Sequence, residues 1–328
     1  MKIGLLGAGR IGSLHASSLS ADGRVEAIVV ADVDRARAEA LAVRHGAAVA
    51  EPDDLFDRVD AVVIASSTDT HVPYLLQAAD RGIPAFCEKP IALDLATTVE
   101  AMEATEGAGI PVQVGFQRRF DAEHVAARSL VDSGAVGDLY LVHSMTHDPE
   151  PPPRDYIPRS GGFHKDTLVH DIDAVRYVTG REVVEVYADG AVLVDPVFAE
   201  FGDHDVAVVT LRLEGGIPAV LTATRRQPLG YDVRMTVYGS KDTLGVGYGP
   251  GLPIHRLADG SVPEDAYPSF VERFADAYRD EMAAFVDLVE GRRTTPCSIR
   301  DAYEVLRVAE ACDRSYAEHR PVAVGEVS

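Results

Sequence analysis

The sequence predicts an α/β fold that begins with a doubly wound parallel sheet and continues into a part with mainly antiparallel strands. Over the first 115 residues, short apolar runs alternate with longer mixed segments, and a glycine-rich turn follows the first run. Short buried strands that alternate with helices are typical of a parallel sheet covered on both faces. After about residue 120, longer β-type runs are spaced like an antiparallel meander, in which each strand pairs with the next along the chain, and not like βαβ units.

Each predicted element comes from its apolar periodicity and its flanking turn residues. In the first part the predicted strands are 2–6, 25–30, 61–65, 85–87 and 112–115, and the predicted helices are 11–20, 35–44, 71–81 and 95–107. In the second part the predicted strands are 139–145, 182–188, 206–213, 218–226 and 233–238, and the predicted helices are 121–132, 165–179, 271–290 and 299–316. A proline-rich loop is predicted over 149–158, because proline supplies no donor to a sheet.

Composition narrows the class of protein and its partners. The chain has 328 residues, 46% of them hydrophobic, and a formal net charge of -21. This charge repels phosphate backbones and anionic membranes, so nucleic acid and membrane partners are not expected. No apolar run reaches the roughly 18 residues of a membrane span, and the first apolar run is too short for a signal peptide. Three cysteines form no metal-like pair, which favours a reducing, cytoplasmic setting.

The glycine-rich turn predicts a dinucleotide site. Gly7, Gly9 and Gly12, with Arg10 and Ile11 between the last two, form a G-x-G-x-x-G that directly follows a predicted strand and opens a predicted helix. The first glycine permits the tight turn, the second lets the backbone approach a pyrophosphate, and the third allows close packing of helix and strand. The free N–H groups of the helix N-terminus then face the phosphates.

Asp32 indicates which dinucleotide is bound. It lies 20 residues after Gly12, at the end of the second predicted strand, where a carboxylate can accept hydrogen bonds from the ribose hydroxyls. A carboxylate would repel a 2′-phosphate, so NAD is predicted rather than NADP. Arg35 and Arg37 keep NADP open as an alternative, because a nearby arginine can bind that phosphate.

Glu88, Lys89 and Pro90 form the first candidate catalytic motif. They follow a predicted parallel strand at its carboxyl end, where ligands bind in this architecture. Pro90 restricts Lys89 to extended conformations, and a cis Lys89–Pro90 bond is a hypothesis that the sequence allows. The alternative interpretation is a solvent-exposed surface turn.

The second candidate motif is a polar stripe on one predicted helix. Asp166, His170 and Asp173 are related as i, i+4 and i+7, so they share one face. A solvated helix face is the ordinary alternative. A metal site is also conceivable, but the stripe has no evident histidine or cysteine partner, and no metal is predicted.

Together these motifs fit the oxidation of an alcohol. The hydroxyl proton needs a base that works near neutral pH, a role that His170 can fill. The ammonium group of Lys89 would stabilise the developing alkoxide, and Asp166 would orient the polar group that it binds.

At these residues the sequence resembles the glucose–fructose oxidoreductase and inositol dehydrogenase (Gfo/Idh/MocA) family over nearly its whole length. The family pattern comprises the glycine fingerprint followed by a histidine (here His15), the Glu-Lys-Pro triplet and the D-x-x-x-H-x-x-D helix, and all three occur in order. The resemblance implies a Rossmann domain over 1–119 and a substrate-binding and oligomerisation α/β domain with an open, mostly antiparallel sheet over 120–328. Packing of the C-terminal helix back onto the first domain is compatible with this division. The resemblance also implies a homo-oligomer, with a tetramer favoured.

Within the family, the likeness is strongest to inositol 2-dehydrogenases. It implies that Lys89, Asp166 and His170 carry catalysis. It further implies that Arg118, Asp173 and Tyr231 contact substrate hydroxyls. The cofactor would be bound by Gly7, Gly9, Arg10, Ile11, Gly12, Asp32, Ser66, Ser67, His71, Glu88 and Lys89. His164 and Lys165 depart from the apolar pair expected before the catalytic aspartate, which leaves substrate identity open.

The predicted activity is therefore NAD-dependent oxidation of a ring alcohol of a polyol or sugar, with myo-inositol as the first guess. Oxidation of scyllo- or chiro-inositol, a pyranose or an anhydrosugar is the alternative among enzymes. A non-catalytic NAD-binding sensor is the alternative from another class. The intact set of Lys89, Asp166 and His170 argues against a sensor, which has no need of a proton-transfer group.

Overall fold

The computed structural model describes residues 1–249 and 267–327. The chain forms two compact units, Met1–Phe120 with Asp276–Glu304 and Asp121–Ala275 with Val305–Ser328. The segment Asp276–Glu304 belongs to the first unit by its contacts, although the sequence prediction places it in the second domain. Long-range packing of an apolar helix face decides this, and no local pattern encodes it. The assignment of a separate binding role to each domain stays a prediction.

The first unit is built on a six-stranded parallel sheet. Its strands are β1 (Lys2–Leu6), β2 (Ala27–Ala31), β3 (Ala48–Val49), β4 (Ala61–Ile64), β5 (Ala85–Glu88) and β6 (Val112–Gly115), in the spatial order β3-β2-β1-β4-β5-β6. The described helices between them are α1 (Arg10–Ala21), α2 (Arg35–His45), α3 (Pro52–Leu55), α4 (Thr68–Arg81) and α5 (Leu95–Ala108). The order reverses at β1, so the crevice at the carboxyl ends of β1 and β4 is the position where doubly wound sheets bind ligands.

The core of the first unit lies between this sheet and its helices. Strand β4 is buried at every position, as expected for a central parallel strand. One apolar cluster joins Leu5 and Val30 in the sheet to Leu19 on α1 and to Phe285, which lies on a later helix. The sequence prediction of five strands missed the two-residue β3, which is too short to leave a periodic signal.

The second unit is built on a seven-stranded mixed sheet. Its strands are β7 (Leu139–His147), β8 (Val183–Ala191), β9 (Val206–Leu213), β10 (Pro218–Thr224), β11 (Asp232–Gly239), β12 (Thr243–Val246) and β13 (Val322–Ala323). The spatial order is β12-β11-β7-β10-β9-β8-β13. Six strand pairs hold this sheet together, and all are antiparallel except β7 with β10. The mostly antiparallel sheet is confirmed, but the predicted simple succession of neighbours is wrong because β7 inserts between β10 and β11.

The remaining described helices are α6 (Ala122–Asp132), α7 (Val169–Thr179), α8 (Val197–Glu200), α9 (Phe270–Arg273), α10 (Ala275–Val289) and α11 (Ile299–Glu318). The helix predicted over 271–290 is therefore two helices, which meet at Phe274. Helix α7 is preceded directly by a π-helical turn, His164–Leu168, which overlaps the start of the helix predicted over 165–179. Within the described part of the chain, every helix is too short or too polar to cross a membrane.

Candidate active site

The glycine loop of the first unit has the geometry that a dinucleotide requires. Gly7 has φ +104, a conformation that side chains rarely adopt, and a Cβ on Gly12 would lie 1.9 Å from the carbonyl oxygen of Gly7. A Cβ on Gly9 would meet nothing within 4 Å, so its backbone faces open space at the N-terminus of α1. The residues present therefore fit a pyrophosphate bound at this helix end, with Arg10 and Ile11 opening the helix.

Asp32 connects the glycine loop to the end of β2. One carboxylate oxygen accepts the backbone N–H of Ala8 at 2.6 Å, and the other accepts the N–H of Asp34 at 2.8 Å. These bonds fix the carboxylate beside the loop, where its remaining lone pairs suit ribose hydroxyls.

The two arginines that kept NADP open are both engaged in ion pairs. Arg35 binds Glu39 at 2.9 Å and Glu51 at 2.5 Å, and Arg37 binds Asp34 at 3.1 Å. These exposed pairs are individually weak. They nevertheless surround the arginines with carboxylates, an environment that disfavours a 2′-phosphate and fits NAD.

The residues after β4 support the turn that carries Lys89. Ser66 Oγ lies 2.6 Å from Thr70 Oγ1. His71 is 1% exposed, and its two ring nitrogens lie 2.8 Å from the carbonyl oxygen of Pro90 and 3.2 Å from that of Ser66. Burial lowers the pKa of His71, although the two carbonyl groups oppose this shift. His71 thus connects two loops of the first unit, while the predicted cofactor contacts of Ser66, Ser67 and His71 stay predictions.

The Glu88-Lys89-Pro90 turn is anchored, which argues against a solvated surface turn. Glu88 Oε1 lies 2.7 Å from Nε2 of the buried His15, and Glu88 Oε2 accepts the backbone N–H of Lys89 at 3.3 Å. The Lys89–Pro90 bond is cis, as hypothesised. Gly115 on the neighbouring strand leaves room for this arrangement, since a Cβ there would lie 2.8 Å from Glu88 Oε2.

Arg118 lies in the short 3₁₀ turn that follows β6. Its side chain is 1% exposed although it is an arginine, and buried arginines are ordinarily hydrogen-bonded or paired. The adjacent Arg119 donates to the carbonyl oxygen of Pro296 at 2.9 Å and to Asp301 at 3.1 Å. The turn is thereby fixed within the first unit, and the substrate contact predicted for Arg118 stays a prediction.

In the second unit, Asp166 is held by two donors from different parts of the chain. Tyr156 donates its hydroxyl to Asp166 Oδ1 at 2.8 Å, and Arg225 donates to Asp166 Oδ2 at 2.7 Å. Arg225 also donates to Asp148 at 3.3 Å, and its guanidinium lies 4.7 Å from the centre of the Phe163 ring. Burial lowers the pKa of Arg225, but the charges of Asp166 and Asp148 outweigh it and raise the value, so the arginine stays charged.

Sequence reasoning missed Arg225 because its partner lies 59 residues away. The predicted strand 218–226 included Arg225, whereas β10 ends at Thr224. Arg225 therefore lies just beyond the ladder, and its backbone N–H donates to the carbonyl oxygen of Asp205 at 2.8 Å. An arginine at the end of an otherwise apolar strand is the signal that could have identified it.

The polar stripe is largely buried, so the solvated-face interpretation is wrong for this helix. Asp166 is 9% exposed and Asp173 is 1% exposed, and His170 is half-buried. Asp166 lies in the π-helical turn and the other two lie on α7. Such turns occur frequently at functional sites. Asp171, outside the stripe, accepts the hydroxyls of two β7 side chains, which fixes the helix to the sheet; these are Ser144 at 2.6 Å and Thr146 at 2.7 Å.

Tyr231 directly precedes β11 and is 6% exposed. Its backbone N–H donates to the carbonyl oxygen of Tyr267 at 2.8 Å, and its ring lies edge-on to Phe270 and Phe274. These contacts fix the ring within the second unit. The predicted contact of its hydroxyl with substrate stays a prediction.

The two residues that depart from the family pattern, His164 and Lys165, both lie beside carboxylates of α11. His164 is fully buried, and its Nδ1 lies 2.8 Å from Asp313. Lys165 lies 3.4 Å from Glu310 and 3.6 Å from Asp313. Both side chains therefore have acidic partners on a helix of their own unit.

The structure places Lys89 and Arg118 in the first unit and Asp166, His170, Asp173 and Tyr231 in the second. Within the second unit, Asp166 and His170 lie on successive turns, as the spacing predicts. The convergence of Lys89 with this pair stays a prediction.

Comparison with known proteins identifies the family. Residues 1–116 match the model of an oxidoreductase family with an NAD-binding Rossmann fold, and residues 124–245 match the Gfo/Idh/MocA C-terminal domain. The chain is 36% identical to the inositol 2-dehydrogenase of Rhizobium meliloti, with 99% of each chain covered. It is 35% identical to the myo-inositol 2-dehydrogenase of Thermotoga maritima, with 100% of this chain and 99% of the other covered.

A solved relative extends the comparison to three dimensions. The crystal structure of scyllo-inositol dehydrogenase from Lactobacillus casei, with bound NAD(H) and scyllo-inositol, superposes with a TM-score of 0.90 at 27% identity and 99% coverage of both chains. The likeness thus spans both units. The glycine loop, the Glu-Lys-Pro turn and the buried polar helix occur in the order that the family requires. The chain therefore belongs to the Gfo/Idh/MocA family of NAD-binding oxidoreductases.

Proposed function

We propose that this protein oxidises a secondary ring alcohol of a cyclic polyol with NAD, and that myo-inositol is the first substrate to test. The observation that carries the proposal is the polar cluster around the buried Asp166 and Arg225, which Tyr156 and Asp148 join at the start of the helix that bears His170. A site that binds several hydroxyl groups needs fixed donors and acceptors of this kind, because unpaired buried polar groups are costly. The inositol dehydrogenases among the relatives support this substrate class.

The proton and charge assignments follow from side-chain chemistry. Bound NAD would supply the hydride acceptor at its nicotinamide ring. His170 accepts the proton of the reacting hydroxyl, and the ammonium group of Lys89 stabilises the negative charge that develops on that oxygen. Asp166 is unsuited to be the base because Arg225 stabilises its charged form, so it orients the hydroxyl or the imidazole.

Residues of the first unit would bind the cofactor. Gly9 and the N-terminus of α1 would contact the pyrophosphate, with Gly7, Arg10, Ile11 and Gly12 shaping that loop. Asp32 would accept the ribose hydroxyls. Ser66, Ser67, His71, Glu88 and Lys89 would line or support the nicotinamide end. In the second unit, Asp173 and Tyr231 would contact substrate hydroxyls, together with Arg118.

A substrate panel tests the proposal. Purified protein is incubated with myo-, scyllo- and chiro-inositol, glucose and an anhydrosugar, each with NAD and NADP in parallel, and NADH absorbance is recorded. We expect turnover of at least one inositol with NAD and a much lower rate with NADP. The scyllo-inositol dehydrogenase relative makes scyllo-inositol the main competing substrate. Tight NADH binding without turnover of any polyol would favour the sensor function instead.

Replacing the catalytic side chains tests the roles. Lys89→Ala and His170→Ala should each lower turnover by roughly 10²–10⁴ fold, as loss of an acid–base group typically does. Unchanged turnover in either variant contradicts the assignment. An exposed position such as Glu103→Gln serves as the control and should keep wild-type turnover.

We also propose that the protein acts as a cytoplasmic homo-oligomer, with a tetramer favoured. Three buried free cysteines, Cys87, Cys297 and Cys312, fit a reducing compartment. The face of the seven-stranded sheet opposite its buried side carries large exposed apolar residues, including Tyr187, Val208 and Tyr238. A second copy that covers this face would remove them from water.

A further inference from the structure

Three ionisable side chains meet in the first unit directly beside the Lys89 turn. His15 lies on α1, Glu88 ends β5 and Glu281 lies on α10, and each contributes an atom within 4.8 Å of the other two. His15 and Glu281 are fully buried. His15 and Glu88 belong to the motifs from which the family is inferred, whereas Glu281 belongs to neither motif. We call this set the His15–Glu88–Glu281 cluster.

Glu281 is the unexplained member of the cluster. Neither of its carboxyl oxygens has a hydrogen-bond partner among the described residues, an arrangement that is costly for a buried charged group. Burial raises the pKa of Glu281 well above its usual range, and the charge of Glu88 adds to that shift. A neutral carboxylic acid avoids the cost of an unpaired buried charge.

The polar groups that lie near Glu281 in the described structure come from three other elements. Helix α1 contributes His15, β5 contributes Glu88, and β6 contributes the neutral amide of Gln113, which donates to the carbonyl oxygen of Glu281 at 2.9 Å. On α10 itself, the ring of Tyr278 lies edge-on to His15 at 6.1 Å. The negative charge of Glu88 adds to the effect of burial on the pKa of Glu281.

A proton explains the geometry of the cluster better than a metal ion. Nitrogen and oxygen ligands of one zinc ion stand roughly 3.3 Å apart, given metal–ligand distances of about 2.0–2.2 Å in a tetrahedron. His15 Nε2 and Glu88 Oε1 are only 2.7 Å apart, which is a hydrogen-bond distance. The contact between these two side chains is therefore a hydrogen bond, not an edge of a coordination shell.

We propose that Glu281 is a positioning residue that carries a proton and, as a neutral acid, keeps Glu88 in place behind Lys89. Glu88 then holds both His15 and the backbone N–H of Lys89. If Glu281 lost its proton, two negative charges would share one buried cluster, and their repulsion would displace Glu88 and the turn that it anchors. The part of this inference that concerns Lys89 rests on the proposed function, whereas the bound proton does not.

Thermal unfolding as a function of pH tests for the proton. An unfolded glutamate ionises at a pKa of about 4.3. Since the folded pKa of Glu281 is raised, folding takes up a proton above that pH, and stability falls as pH rises towards the folded value. We compare wild type with Glu281→Gln between pH 5 and pH 9. The folding equilibrium constant of wild type should fall by up to tenfold per pH unit relative to the variant, so the Tm of the variant minus the Tm of wild type should rise with pH.

Two further variants keep the test decisive. Glu281→Met also removes the titrating group. If the Gln variant does not fold, the Tm of Glu281→Met minus that of wild type should show the same rise with pH. Glu103→Gln removes the same charge at an exposed position of α5, and its Tm difference from wild type should not change with pH. A constant gap from pH 5 to pH 9 in both Glu281 variants overturns the proposal. Stoichiometric divalent metal in wild-type protein that is lost in Glu281→Gln would also overturn it.

Activity and cofactor affinity then test the positioning role. Glu281→Gln mimics the neutral acid and should keep kcat within about threefold, whereas Glu281→Met should lose about tenfold in kcat. The dissociation constant of NADH, measured by fluorescence, should change less than kcat. At pH 9 wild type should lose more of its kcat than Glu281→Gln does. Equal kcat in the Gln and Met variants at every pH contradicts positioning. If no polyol is oxidised, the unfolding data still decide whether Glu281 carries the proton.

Discussion

The surroundings of Asp166 determine what this carboxylate can do. One oxygen accepts the Tyr156 hydroxyl and the other accepts the Arg225 guanidinium, and that arginine is itself buried against the Phe163 ring. Removing one member of a buried ion pair leaves the other charge uncompensated, which typically costs 3–5 kcal/mol. The site therefore depends on Arg225 even though Arg225 transfers no proton in the proposed mechanism.

The Asp166–Arg225 pair gives a first prediction at this scale. Arg225→Met should destabilise the second unit by about 3 kcal/mol or more and lower kcat at least tenfold, because Asp166 loses its charged partner in a buried place. Arg225→Lys retains the charge but not the forked geometry, so its effect should be smaller. Urea unfolding and steady-state kinetics measure both effects. Wild-type stability and kcat in Arg225→Met would show that the pair is dispensable.

His204 gives a pH-dependent prediction. Burial lowers the pKa of His204 to about 4, and the neighbouring His164 adds to the shift. An unfolded histidine binds a proton below about pH 6.5. Between pH 6.5 and pH 4 the unfolded state therefore binds more protons, so stability should fall as the pH is lowered through this window, by up to about 3 kcal/mol in total.

The contribution of His204 is isolated by substitution. The centre of the His204 ring lies 4.7 Å from that of Tyr316, so His204→Phe keeps an aromatic group in this contact that cannot titrate. Melting curves from pH 4 to pH 7 should show a shallower acid loss for this variant than for wild type. Parallel curves for the two proteins would mean that other groups cause the acid loss.

At the scale of elements, contacts with neighbouring helices and strands fix the glycine loop and the Glu-Lys-Pro turn. The glycine loop needs Gly12 because a side chain there would clash with the Gly7 carbonyl group. The Glu-Lys-Pro turn needs Gly115 on the adjacent strand for the Glu88 carboxylate. In the second unit, Asp171 fixes α7 to β7 through Ser144 and Thr146. These contacts place functional groups at the ends of regular elements, where their positions are well defined.

A substitution in the glycine loop should lower the affinity for NADH. Gly12→Ala forces a Cβ to 1.9 Å from a backbone oxygen, so the loop must move and NADH affinity should fall at least tenfold. Gly23→Ala is the matched control, because a Cβ there meets nothing within 4 Å. Fluorescence titration of NADH measures both. Equal affinities in the two variants would contradict a dinucleotide site at this loop.

At the scale of the whole molecule, the open face of the seven-stranded sheet is the feature that a single chain does not explain. One face of β9 is buried, while Val208 on the other face is 46% exposed. Open sheet faces with large apolar side chains are typical of subunit interfaces. The charge of -21 disfavours association in general, so an assembly needs a specific apolar contact of this kind.

The oligomer is tested by placing a charge on this face. Val208→Arg should shift the protein to smaller species in light scattering after size exclusion, because a buried unpaired charge disfavours the interface. Val43→Arg makes the same change at an exposed position of α2 and should leave the assembly unchanged. A wild-type mass for Val208→Arg, or a monomeric wild type, would contradict the proposed interface.

Local patterns in the sequence determined the parts of this protein that depend on neighbouring residues. The glycine fingerprint, the turn at Lys89 and the stripe that includes His170 are short-range features, because φ, the helical period and the position after a strand belong to the residues themselves. The parallel sheet of the first unit followed for the same reason.

Only the tertiary structure decided what distant segments contribute. Arg225 reaches Asp166 across 59 residues, Glu281 comes to Glu88 from α10, and β7 inserts between β10 and β11. Each of these contacts depends on how apolar faces far apart in the chain pack together. Many arrangements satisfy the same local periodicity, so no pattern of neighbouring residues could single out the one that forms.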